Sequence, residues 1–275
     1  MGEKILGDDG LIASEVGVQA KEKHEYLRRY LDISSGARKR YIGPNNAGAT
    51  FVDLFCGAGR SKIKDTGEWI DGSAVAAWKI SKESSSPFTE IYVGDLDEEN
   101  LDASVRRLKD LDALVKALHG PAVETVQEYV KAVSHYGLHV AFVDPFSLGA
   151  LNFRIIETLA TLKRPDMLLH VSKMDLQRNL NKELEADNSM FDTFVPNWRP
   201  LVDIERPQQA IRQQMMELWQ EKITALGLEV SNDTKLVKGN QNQHLYWLYL
   251  VAKHDLAKKF WKIAGDTGQG SLFDF

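Results

Sequence analysis

The most constraining stretch of the chain is residues 50–59, where the apolar run Thr50-Phe51-Val52-Asp53-Leu54-Phe55 gives way at once to Cys56-Gly57-Ala58-Gly59. A short run of bulky apolar residues cut off by glycines reads as a buried strand entering a tight loop. Glycine tolerates backbone conformations closed to other residues, and it lets the main chain approach a bulky ligand closely. Two familiar phosphate-binding patterns are not met. A dinucleotide fingerprint wants a third glycine where Lys62 stands, and a P-loop wants Gly-Lys-Ser/Thr.

Around that stretch the pattern alternates. Residues 21–33 read as a helix with Tyr26, Leu27, Tyr30 and Leu31 on one face, ended by Ser34-Ser35-Gly36. After the first strand, Ser73 is placed to cap a helix running to residue 80. Residues 89–93 read as a second strand, 98–117 as a helix, 122–126 as a third strand, 138–143 as a fourth, 152–162 as a helix and 166–171 as a fifth strand. Residues 177–207, polar and carrying Pro196, Pro200 and Pro207, look like an insertion, and 208–226 like a helix. Short runs at 227–230, 236–237 and 244–251, with a Gly239-Asn240 turn, predict antiparallel strands at a sheet edge.

The expected fold is therefore α/β, a Rossmann-like and mostly parallel sheet with helices on both faces, an antiparallel late strand and an insertion. Its expected division is a helical segment over 1–49, the sheet domain over 50–264 and a flexible tail over 265–275. In such a sheet the polar loops gather at the strand carboxyl ends, which is where chemistry is to be sought.

Three motifs fall there. Asp53, Phe55, Gly57 and Gly59 fit the first motif of a methyltransferase, whose carboxylate engages the ammonium of S-adenosylmethionine directly or through solvent. Asp95, with Leu96 and Asp97, closes the second strand, where an acidic residue accepts hydrogen bonds from both ribose hydroxyls; the competing role for Asp95 and Asp97 is capping the following helix. Asp144-Pro145-Phe146 ends the fourth strand, where the acceptor is held; base amino methylation favours Asn/Asp-Pro-Pro followed by an aromatic, and one proline is missing here. Pro145 is not followed by cysteine, so a covalent cytosine mechanism lacks its nucleophile. Two other functions stay open: a nuclease or phosphoesterase with Asp53, Asp95 and Asp144 on magnesium, and a catalytically silent binding partner.

Composition narrows the field further. The single cysteine, Cys56, excludes an intramolecular disulfide and a cysteine-based zinc cage, and its place in the glycine loop reads as a small loop residue. His24, His119, His135, His139, His170, His244 and His254 show no metal-ligand pairing, so no metal is expected. The net charge of −5 argues against general nucleic-acid affinity. Residues 21–40 are locally basic, which reads either as a solvated helix face or as a phosphate-contacting surface. No apolar run approaches the roughly 20 residues that span a bilayer, and the first residues show no secretory signal, so the expected location is cytoplasmic, away from membranes.

The residues Lys23-His24-Glu25-Tyr26-Leu27-Arg28-Arg29-Tyr30-Leu31, Phe51 to Gly59, Asp71-Gly72-Ser73, Asp144-Pro145-Phe146 and the closing 244–261 region together resemble the three-Cys-motif partner (TcmP) family. That resemblance implies a class I methyltransferase-like fold and a partner protein with three cysteines. Two departures are Ser147, where the family tends to have glycine, and Gln127, near where an acidic or amide residue holds the adenine amino group of the cofactor. The tail adds a last expectation: Gln269-Gly270-Ser271-Leu272-Phe273 resembles the peptide by which replication proteins dock on the sliding clamp, which favours a DNA acceptor among DNA and RNA.

Overall fold

In the computed structural model, which describes residues 3–238 and 244–266, the backbone divides between a large and a small sheet. From the N-terminus run β1 (Lys4–Leu6), β2 (Ile12–Val16), α1 (Gln19–Ile33), α2 (Ser35–Arg38), β3 (Ala49–Asp53), the pair β4 (Arg60–Ile63) and β5 (Trp69–Asp71), and α3 (Ser73–Glu83). Next come β6 (Glu90–Asp95), α4 (Glu98–Asp110), β7 (Val115–His119), α5 (Ala122–Ala132), β8 (Leu138–Val143), α6 (Phe153–Ala160) and β9 (Pro165–Ser172). Short helices α7 (Lys173–Arg178), α8 (Leu180–Glu185) and α9 (Met190–Phe194) precede the long α10 (Gln208–Ala225). Strands β10 (Glu229–Val230), β11 (Lys235–Lys238) and β12 (His244–Ala252) and helix α11 (Asp255–Ala264) follow.

The large sheet has the order β10-β12-β9-β8-β3-β6-β7, with β11 also paired to β12. Strands β7, β6, β3, β8 and β9 are parallel, and β12 joins β9 antiparallel. This is the Rossmann-like, class I methyltransferase-type arrangement expected from the sequence. The chain moves outward from β3 to β6 and β7, then returns to build β8 and β9 on the other side. The strand order thus reverses at β3, and the crevice at such a reversal is where open α/β sheets bind ligands.

Strand periodicity explains the two cores. Successive side chains point to opposite faces, so Phe51, Phe142 and Leu168 pack under α1, α3 and α11, while Val52, Ala141 and Leu169 pack under α5, α6 and α10. Both faces are covered, which is why these strands read as continuous apolar runs.

Several boundaries differ from the sequence expectations. The N-terminal segment is not wholly helical: β1 and β2 pair antiparallel, and β2 pairs in parallel with β4, giving a small second sheet. The third strand lies at 115–119, not 122–126. Helix α4 ends because Asp112 takes a left-handed φ of 60°, which Asp tolerates better than most side chains. The β-branched residues Val123, Thr125 and Val126 belong to α5, where Thr125, Val126 and Tyr129 form the buried face. The polar segment 177–207 is anchored by buried aromatics, with Phe191 against Trp198 and Phe194 stacked on Trp219 of α10. The Gly239-Asn240 turn and the 269–273 motif lie outside the described residues. Among the described residues no helix is long and apolar enough to cross a membrane.

Candidate functional site

The loop after β3 is built around Asp53. Its side chain has no exposed surface; one oxygen accepts from Phe55 N at 3.1 Å and the other from the Ser73 hydroxyl. Ser73 is the first helical residue of α3 rather than its cap, and the preceding Gly72 makes no side-chain capping bond, so the expected capping role is replaced by this one. Burial pushes the Asp53 carboxyl up to about 7, against the pull of those hydrogen bonds. Enclosed in this way, Asp53 shapes the loop, and a ligand's ammonium has no direct path to it.

The two glycines have different reasons. Gly57 adopts φ 55° and a side chain added there would project into open space, so the main chain presents a bare surface. Gly59 adopts φ 79° and packs against Ser104 of α4, while its carbonyl accepts from Gly72 N at 2.8 Å. Cys56 is buried, and burial pushes its thiol well up, which keeps it neutral and unreactive. Phe55 is partly buried against the core on the α5 face.

From the neighbouring strand, Asp95 braces this loop by accepting from Gly57 N at 2.9 Å and from Asp97 N at 2.8 Å. Each carboxylate oxygen keeps a lone pair for a further donor. Asp97 has the capping role: it accepts from Asn100 N at 3.0 Å and pairs with Lys4 of β1 at 2.7 Å, so it is not turned to a ligand. The exposed Leu96 offers its carbonyl to the His119 ring, at the end of β7, 3.2 Å away. Gln127 lies within α5, its amide turned back to Val123 O at 3.3 Å. It is not at a strand end because the third strand was displaced; His119 holds that place. Arg107 of α4, nearly buried, binds Asp9, Ile12 O at 2.8 Å and Ala58 O, so the small sheet clamps the glycine loop from outside.

Across the crevice, Asp144 follows β8. One carboxylate oxygen pairs with Lys23 of α1; the other lies 2.9 Å from His170 Nδ1 on β9. All three side chains are largely buried, at 17%, 13% and 13% exposure for Asp144, Lys23 and His170. These partners outweigh burial and hold the Asp144 carboxyl well below the usual range, so it is ionised. Tyr246 of β12 closes the cluster, its ring against His170 at 4.1 Å and its hydroxyl on Gln19 O at 3.1 Å. His170 makes no aligned hydrogen bond through either ring nitrogen, and neighbouring His24 Nδ1 is also buried without one. Burial, with the charge of Lys23, pushes His24 down to about 4.

Pro145 is buried and Phe146 is 69% exposed. The rest of this loop is tied down by Asp175 of α7, which accepts from Leu148 N at 2.9 Å. The basic N-terminal stretch is thus not simply a solvated face: Lys23 enters the crevice, while Arg38 is buried against Ser84, Ser86 and Leu31 O. Lys23, His24, His170 and Tyr246 were not expected to form a site: Lys23, His24 and Tyr246 fell in stretches that carry the family resemblance, and His24 and His170 read as ordinary histidines, because a contact such as Lys23 with Asp144 spans 121 positions.

The three strand-end aspartates do not converge on a common point for a cation: Asp53 faces Ser73, Asp95 faces the loop amides and Asp144 faces Lys23. Among the described residues no cluster of three or more His, Cys, Asp or Glu side chains has metal-binding placement.

No protein-family model matches this sequence, and no curated protein does. Similar solved structures include M. jannaschii TYW2 in complex with AdoMet, at 10% identity over 92% of this chain and 86% of that one, TM-score 0.46. Another is the O-methyltransferase from Bacillus cereus in complex with SAH, at 10% identity over 84% and 80%, TM-score 0.46. A third is an rRNA methylase from Streptococcus thermophilus, at 13% identity over 84% and 94%, TM-score 0.39. At such identity and overlap, none of them assigns a role to a residue of this chain.

Proposed function

We propose that the chain is an S-adenosylmethionine-dependent methyltransferase acting on a nucleic-acid base or on a macromolecule presented by a three-cysteine partner protein. One observation carries this reading. At the point where the strand order reverses, a bare glycine loop braced by Asp95 faces an ionised Asp144 with His170 beside it across the crevice. The residues fit the cofactor: Gly57 leaves space a side chain would fill, and Asp95 is a partly exposed carboxylate with lone pairs to spare.

When bound, S-adenosylmethionine supplies an electrophilic methyl group. The chain's own residues do the rest. The bare main chain at Gly57 and the carboxylate of Asp95 would hold the adenosyl and methionine parts, with Asp53 fixing the loop through Phe55 N and Ser73. The exposed Phe146 offers a ring for a planar acceptor to stack on. An acceptor N–H or O–H gives up its proton as it gains the methyl; that proton goes to His170, which lies 2.9 Å from Asp144 and whose buried ring nitrogens must be uncovered for the transfer. Lys23 keeps Asp144 ionised for that task. The magnesium nuclease reading is disfavoured by the three aspartates having separate partners.

Titration calorimetry with S-adenosylmethionine tests the proposal. Saturable binding with micromolar dissociation constant, about −8 kcal/mol, is expected; no heat at millimolar cofactor overturns it.

A further inference from the structure

The same carboxyl edge of the sheet carries a second feature, on the face opposite Lys23. Tyr246 packs on the α1 side of β12, whereas Trp247 and Tyr249 belong to the α10 side. There a groove of about 590 Å³ opens between α7, α10, β11 and the start of β12. That size falls within the range of small-molecule sites. β9 and β12 lie two and three strands from β3, roughly 10–15 Å away at the ordinary strand spacing.

The lining combines two kinds of chemistry. Trp247 is partly exposed, and the Lys173 ammonium stands 5.0 Å from its ring centroid. Arg212 of α10 also lines the groove and is near enough to Lys173 that, after burial, its charge lowers the lysine's affinity for its proton. Lys173 hydrogen-bonds the ring of His244 at 2.8 Å, and among the described residues neither cation is ion-paired with a carboxylate. The one acidic residue of the lining, Glu217, accepts from Gln213 at 2.8 Å, further along α10. Two like charges with no ion-paired carboxylate among the described residues, held beside an aromatic face, suit an anion attached to a planar ring.

We propose that this groove binds a nucleoside phosphate, with the base on Trp247 and the phosphate between Lys173 and Arg212. Its use as an acceptor seat rests on the methyltransferase reading; the binding itself does not. A base on Trp247 lies on the same sheet edge as His170 and the glycine loop, and Gln213 supplies both a donor and an acceptor for a base edge.

The full chain is titrated calorimetrically with uridine 5′-monophosphate and with a ten-residue oligouridylate, probes that avoid the adenosyl site. Saturable binding, weakened at least tenfold by Arg212→Gln and by Trp247→Ala, is expected, with circular dichroism checking that each variant is folded. Arg212 is partly exposed on a helix, so its variant remains informative if Trp247→Ala does not fold. Stronger binding by the oligomer identifies a nucleic-acid strand as the source, and equal binding per site identifies a free nucleotide. No binding of either probe, or unchanged affinity in the folded variants, overturns the proposal. S-adenosylmethionine titrated into the same samples separates the two readings: cofactor binding without uridylate binding removes only the groove, and the reverse removes only the methyltransferase.

Discussion

On the β3–β6 side of the crevice, Asp53 and Asp95 have both oxygens satisfied by groups of neighbouring loops, chiefly backbone amides, whereas on the β8–β9 side Asp144 is held by side chains from a remote helix and a neighbouring strand. The first side is built within one loop and its neighbouring strand, with Asn100 Oδ1 and Ser104 Oγ of α4 buried beside it without a partner. The second keeps unused capacity in groups that can carry a proton, the ring nitrogens of His24 and His170. A buried polar atom without a partner costs about 1–3 kcal/mol, and a fold retains that cost most readily where a ligand completes the bonding. Under the proposed function, the contrast gives positioning to one half and proton handling to the other.

The largest expected effect falls on the proton-handling half. His170→Gln keeps a polar side chain of similar reach but removes the base, and tritiated methyl incorporation in a cell lysate should fall by about 10²–10⁴-fold, with cofactor binding retained. Asp144→Ala should do the same through a misoriented His170, since a transition-state role affects turnover more than ground-state binding. Undiminished incorporation in both variants breaks the division of labour.

On the positioning half the expected effect is on binding. Asp95→Ala removes a charged acceptor from the ribose and releases the Gly57 amide, so calorimetry should show S-adenosylmethionine weakened by about 1.5–3 kcal/mol. Equal affinity in wild type and variant removes Asp95 from the cofactor site.

The same contrast governs what was legible from the sequence. Asp53, Gly57, Gly59 and Asp95 meet through contacts within one loop and one adjacent strand, so spacing and residue type were enough to expect them together. The mostly parallel sheet with its antiparallel late strand was legible for a similar reason: strands covered on both faces stand out as unbroken apolar runs. Lys23 and His170 were not legible, because a lysine on a polar helix and a histidine in a strand carry no mark of meeting at Asp144. The small sheet was missed because β1 and β2 are short, partly exposed and apolar only in part. The displaced third strand shows a local limit, since a left-handed Asp112 ends a helix without glycine or proline to announce it.

The smallest effect tests how finished the Asp53 environment is, through stability against pH. Burial raises Asp53 to about 7 and Asp166, beside Tyr30, to about 6, so both keep protons in the folded chain that an unfolded carboxyl loses near pH 4. Their contribution is present at low pH and lost as pH rises through those values. Burial has the opposite consequence for His24 and His139, each lowered to about 4: the unfolded imidazoles bind protons below about 6.5 that the folded ones refuse, so stability is lost as pH falls from there. Between pH 4 and 6 two carboxyl groups oppose two imidazoles, and the wild-type urea midpoint should change little. Asp53→Asn removes one opposing carboxyl while its amide still accepts from Phe55 N and donates to the Ser73 hydroxyl. Stability of the variant should then rise with pH across this window by up to about 1.4 kcal/mol per unit, read as urea midpoints at pH 4.5 and 5.5. A variant profile parallel to wild type means that Asp53 is ionised in the folded chain, and that the glycine loop carries a buried negative charge beneath the cofactor.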